Sequence, residues 1–181
     1  MTKQEAIIEL TGNRFYSDFA ASATARVIEM GAVAELYTIA TEEIATLPTA
    51  KRRAVMWRSG YILEYIYFHH RELFEPYHKR FMSDFTRCTN PSSMRSFSKM
   101  MADILKHHHP TVDQQEAIAQ CTAEWVADPK VRVAVKVWSM SILQTLRPNI
   151  EWLEEIWEDI VVMLTNNSTP AIEVRLKRGW R

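Results

Sequence analysis

An Ile-Leu pair recurs at about 40-residue spacing, as Ile62-Leu63, Ile104-Leu105 and Ile142-Leu143. Nine residues before each Ile stand Arg53, Arg95 and Val133, the last of these beside Arg132. Each anchor is followed by another amphipathic segment. A period near 40 with two helices per unit describes a stack of helix pairs, in which each pair buries its apolar face against the next.

The rest of the chain agrees with an all-α reading. Apolar residues step by three or four, as in Phe15, Phe19, Ala23, Val27 and Met30, which places them on one helix face. Only 4 glycines occur in 181 residues, which favours helices joined by short turns. Helices are expected at about 14–30 (closed by Gly31), from there to 47, and at 50–68, 71–85, 91–106, 113–126, 129–146, 150–164 and 170–181. Pro76 falls early in its helix, where a missing N–H is tolerated. Asn90-Pro91, Asp128-Pro129 and Thr169-Pro170 read as a capping side chain before a proline at the first helical position. Thr111 with Gln114 has the form of a capping box, and Asn149 is placed to cap the helix carrying Ile150, Leu153 and Trp157. The chain stops at Trp180-Arg181, an abrupt ending for a repeat array.

Asp128-Pro129-Lys130-Val131-Arg132-Val133-Ala134 resembles the Asp-Pro-x-Val-Arg-x-Ala signature that opens the second helix of a HEAT repeat. Asn90-Pro91 leading to Met94-Arg95 and Thr169-Pro170 leading to Val174-Arg175 are weaker copies. The resemblance covers about residue 49 to the C-terminus. It implies one domain, a right-handed α-solenoid of about four HEAT-like repeats. Divergent N-terminal helices would occupy 1–48, with repeat-like units at about 49–89, 90–127 and 128–168 and a last helix at 169–181. By the same resemblance the helices at 50–68, 91–106, 129–146 and 170–181 form the inner, concave layer. The chain is also distantly similar to the HEAT-like DNA-alkylation-repair proteins. Their glycosylases carry a Trp and an Asp one turn apart on an inner helix, and no Trp-x-x-x-Asp occurs here.

Net charge is zero, but its distribution is uneven. The four inner helices carry +3, +2, +3 and +3, whereas those at 71–87, 113–126 and 150–164 carry +1, −3 and −5. The inner cations Arg53, Arg58, Arg95, Lys99, Arg132, Lys136, Arg175 and Arg178 recur on successive helices and are the candidate ligand-binding residues. Cations in a first helical turn oppose the macrodipole, so Lys51, Arg52, Arg53, Lys130 and Arg132 require a compensating partner. An Asp–Arg ladder between repeats would supply one, and an anionic ligand would supply another.

Other chemistry finds little support. His107-His108-His109 lies before Pro110 in a turn, and successive imidazoles on a helix diverge by about 100°, so no metal site is expected. Cys88 and Cys121 are too few and too isolated for a disulfide framework and read as buried thiols. No Gly-rich phosphate loop, Gly-x-Ser-x-Gly elbow or His-Glu-x-x-His occurs, so neither a catalytic residue nor a cofactor is expected. Trp57 and Trp138, on nearly all-apolar helices, are expected in the core, Trp138 between neighbouring repeats. No signal peptide and no apolar run near the ~20 residues that span a bilayer occur, so a soluble cytoplasmic protein is expected. The expected function is a non-enzymatic binding scaffold whose basic concave surface docks a partner protein or other anionic ligand. The alternative is nucleic-acid binding.

Overall fold

Local capping chemistry sets several helix boundaries. In the computed structural model, Thr111 Oγ1 accepts from the Gln114 amide at 3.3 Å, and the Gln114 side chain accepts from the Thr111 amide at 3.1 Å. Asn90 Oδ1 accepts from the amides of Ser92 and Ser93, and Thr169 Oγ1 from that of Ile172. Gly31 adopts φ +57°, and the Gly31 and Ala32 amides donate to Ile28 O and Val27 O, a Schellman closure that suits glycine.

The structure describes residues 1–12, 18–42 and 44–180. Phe15, the first residue of the expected 14–30 stripe, and Arg181 lie outside them. The described residues are all-helical, with no strand among them. The helices are α1 Lys3–Gly12, α2 Phe19–Glu29, α3 Val33–Thr41, α4 Thr49–His69, α5 Arg71–Phe74, α6 His78–Phe85 and α7 Pro91–Ile104. They continue as α8 Val112–Ala127, α9 Val133–Leu146, α10 Glu151–Glu155, α11 Trp157–Asn166 and α12 Pro170–Leu176. Short 3-10 turns at Glu75–Tyr77 and Arg147–Asn149 each carry a proline. Among the described residues no helix is long and apolar enough to cross a membrane.

Several boundaries differ from the sequence expectation, among them the 71–85 helix, which the 3-10 turn at Glu75–Tyr77 divides into α5 and α6. Asp128-Pro129 does not open a helix. The Val131 amide donates to Asp128 O at 3.2 Å and Asp128 Oδ1 accepts from the Lys130 amide, so the four residues form a β-turn. Asp followed by Pro suits the first two positions of such a turn as well as it suits a helix start. α9 then begins at Val133 with Arg132 as its cap. Asn149 closes a 3-10 turn and its side-chain Nδ2 donates to Gln115 Oε1, leaving Ile150 at the head of α10. The expected 150–164 helix is interrupted at Ile156. The last helix ends at Leu176, and residues 177–180 are turns.

The chain divides into two compact units, residues 1–78 with 88–97, and residues 79–87 with 98–181. In the first, α4 is the hub and packs against α1, α2, α3 and α5. Ile62, Leu63 and Glu64 are consecutive and all buried, so α4 is covered on nearly all sides. Rings fill its C-terminal end, with Tyr37 stacked on Tyr77 at 4.6 Å and Tyr67 edge-on to Phe74 at 5.2 Å. Gly60 admits the Phe97 ring, which a Cβ at that position would approach to 3.3 Å.

In the second unit α9 is the hub, packed against α8 and α12. Trp157 and Trp180, both fully buried, stack at 4.0 Å, and Trp157 Nε1 donates to Trp180 O at 3.2 Å. Phe85 meets Trp125 edge-on at 5.0 Å. The anchors Ile62-Leu63, Ile104-Leu105 and Ile142-Leu143 are all buried, and so are Val55, Phe97 and Val135, seven residues before each Ile. The sequence repeat is therefore also a repeat of burial.

Candidate binding surface and cleft

The eight candidate cations fall into two kinds. Arg53, Arg95, Arg132 and Arg178 are exposed, whereas Arg58, Lys99, Lys136 and Arg175 are half-buried. Arg53 lies one turn into α4. The Asn90 side-chain amide donates to its carbonyl at 3.2 Å, which seats the start of α7, and with it Arg95, in the same unit. Arg132 caps α9, and Arg178 follows α12 in the other unit.

Arg58, Lys136 and Arg175 show how half-buried cations are partnered within the fold. Arg58 Nη1 donates to Thr11 O at 2.7 Å, and Lys136 Nζ to Val126 O at 2.9 Å. Each carbonyl belongs to the penultimate residue of its helix, α1 or α8, where unpaired carbonyls and the negative end of the dipole favour a cation. Arg175 lies over the Trp138 ring at 5.1 Å, a cation–π contact. Burial, and then the neighbouring charge of Arg178, lower the Arg175 pKa. Carbonyl partners also answer part of the first-turn problem, since Arg52 donates from Nε and Nη2 to Leu47 O.

The aromatic expectations need correction. Trp57 and Trp138 are only half-buried, each with an arginine over its ring, Arg58 at 5.4 Å and Arg175 at 5.1 Å. An α-helix apolar on nearly all sides still has one edge facing solvent, and these indoles lie along it. The fully buried pair is Trp157 and Trp180. Arg147 lies 4.3 Å from the Trp157 ring and holds Glu154 with two hydrogen bonds, at 2.5 and 2.6 Å. Those bonds keep the Glu154 carboxyl below the usual carboxylate range.

His107 lies in the turn after α7, with His108 and His109 following before Pro110; His107 and His109 are exposed and His108 is half-buried. Burial pushes the Cys88 thiol up to about 12, so it carries little thiolate at neutral pH. Cys121 is half-buried, its sulfur 3.8 Å from Thr86 O.

A cleft of about 440 Å³ opens in the second unit, where the turn before α9 meets the end of α11 and the start of α12. Val126, Val131 and Val133 line one wall, and Met163, Leu164 and Ile172 the other. Lys136, Asn167 and Thr169 supply its polar groups. Burial lowers the Lys136 pKa, partly offset by the charge of Asp128. Sequence reasoning singled out Lys136 as one cation in a series and missed the cleft, whose walls come from segments distant in sequence. Nor was the first-turn position of Lys136 legible, because its helix was expected to open at Pro129 and opens at Val133, which puts Lys136 in the first turn.

No family model, no curated protein and no solved structure matches this chain.

Proposed function

We propose that the chain is a non-enzymatic binding scaffold of the cytoplasm, a HEAT-like solenoid that docks an acidic partner protein on its basic helices. The observation that carries this reading is the exposure of Arg53, Arg95, Arg132 and Arg178, the first three on or beside helices of net positive charge. Acidic residues concentrate instead on α8, α10 and α11. Arginine suits this role because its planar fork pairs with two carboxylate oxygens at once. Arg58, Lys136 and Arg175 act in the fold rather than in docking.

Fluorescence anisotropy of a labelled glutamate-rich peptide at low salt tests the reading. The peptide is expected to bind and to be released as salt screens the contact. A short DNA duplex serves as the competing ligand, with a log-affinity slope of about −0.9 per phosphate neutralised if nucleic acid were the true partner. Tighter binding of the duplex would replace the partner-protein reading with the nucleic-acid one. Binding of neither at low salt contradicts both.

A further inference from the structure

We infer that the cleft between the start of α9 and the end of α11 binds an aliphatic monocarboxylate, its head on Lys136 and its chain along the apolar walls. This site stands on residues other than the exposed arginines, so it does not depend on the docking reading. About 440 Å³ lies in the range of small-ligand sites, which combine apolar walls with a few placed polar groups.

Two positive sources meet there. α9 begins without a side-chain cap, and Val133, its first residue, lines the cleft. Lys136 lies in the same first turn, so its ammonium adds to the helix's positive end instead of cancelling it. One of its three N–H groups goes to Val126 O, and a carboxylate can accept from another. Asp128, the nearby acid, uses Oδ1 on the Lys130 amide. Thr169 Oγ1 accepts from the Ile172 amide, which leaves its hydroxyl proton for donation to the same carboxylate. An anion would take a Lys136 N–H that Val126 leaves over, at the positive end of α9, against the opposing charge of Asp128 and the carbonyl end of α8.

The walls decide the rest of the ligand. Val126, Leu164 and Ile172 are almost fully buried and fixed in place, while Val131, Val133 and Met163 keep exposed aliphatic surface along the cleft. An inorganic anion would leave it in contact with water, whereas an alkyl chain gains about 0.8 kcal/mol per buried methylene. A straight chain with one carboxylate satisfies both features, and a dicarboxylate would bury a second, unpartnered charge.

Isothermal titration calorimetry of the full chain with octanoate, octanol and octylammonium tests this. Octanoate is expected to bind one-to-one and at least tenfold tighter than either analogue. Lys136→Met keeps the aliphatic stem and should weaken octanoate at least tenfold. If that variant does not fold, Val133→Trp, at an exposed position on the rim, decides by blocking entry and abolishing the heat. Absence of saturable octanoate binding, equal binding of the octyl analogues, or undiminished affinity in a folded variant overturns the inference.

Discussion

The hubs of the two units, α4 and α9, carry the same buried ladder with different surroundings. Val55, Ser59, Ile62, Leu63 and Ile66 on α4 correspond in spacing to Val135, Ser139, Ile142, Leu143 and Leu146 on α9, and all ten are buried. Each hub also sends one cation to the penultimate carbonyl of another helix, Arg58 to Thr11 and Lys136 to Val126. The hubs differ two residues before the Ile, where α4 has Gly60 pressed against Phe97 and α9 has Met140. They differ also at the cation, since Lys136 opens onto a cleft. A shared apolar pattern thus fixes how a hub helix is enclosed, while one or two side chains decide whether its basic group only caps a helix or also faces a ligand-sized space.

The largest expected effects lie in the buried pairs that hold each unit. Trp157→Ala removes the stack on Trp180 and its indole hydrogen bond, and should cost about 3–5 kcal/mol in urea unfolding. Ile62→Ala and Ile142→Ala should each cost about 2–5 kcal/mol, since both side chains are fully buried. If the hubs are equivalent, the two losses agree within about 1 kcal/mol. A near-zero cost at either would break the comparison.

The elements that sequence made legible are those whose signals act within a few residues. Thr111 and Gln114 form both bonds of a capping box, Asn90 and Thr169 cap α7 and α12, and Gly31 ends α2. The Ile-Leu anchors were legible for the same reason, because a 3.6-residue period registers burial directly. Asp128-Pro129 was misread because its local chemistry fits a turn as well as a helix start. The interruption at Ile156 has no signal in composition. Trp57 and Trp138 were misplaced because an apolar helix does not reveal which edge remains uncovered. Among the candidate site residues, sequence found the cations but could not separate exposed Arg53 and Arg95 from Arg58, whose partner Thr11 is distant in sequence.

Smaller effects sharpen the difference between the two cations. Arg58→Met should cost about 1–3 kcal/mol, the usual price of a partly buried charged hydrogen bond. Lys136→Met should cost less, because removing the ammonium also removes its desolvation. The sign follows from its pKa, which folding lowers from the ordinary value of 10.5. The unfolded chain then binds the proton more tightly, so wild-type stability should rise relative to Lys136→Met as pH climbs through the alkaline range toward 10.5. Urea unfolding of both proteins from neutral to alkaline pH checks this, and a falling difference would show that the ammonium is stabilised by its site. Trp138→Ala should cost only about 1–2 kcal/mol, a half-buried ring with a cation–π contact.

The central claim is that exposed arginines dock a partner while half-buried ones hold the fold. Charge reversal tests it directly, with Arg53→Glu/Arg95→Glu and, separately, Arg58→Glu. Each variant is measured for Tm and for affinity toward the labelled glutamate-rich peptide. The double reversal should lower affinity at least tenfold and leave Tm within about 2 °C of wild type, as surface substitutions usually do. Arg58→Glu should lower Tm by several degrees. Peptide affinity that survives the double reversal, with Tm unchanged, would contradict the account.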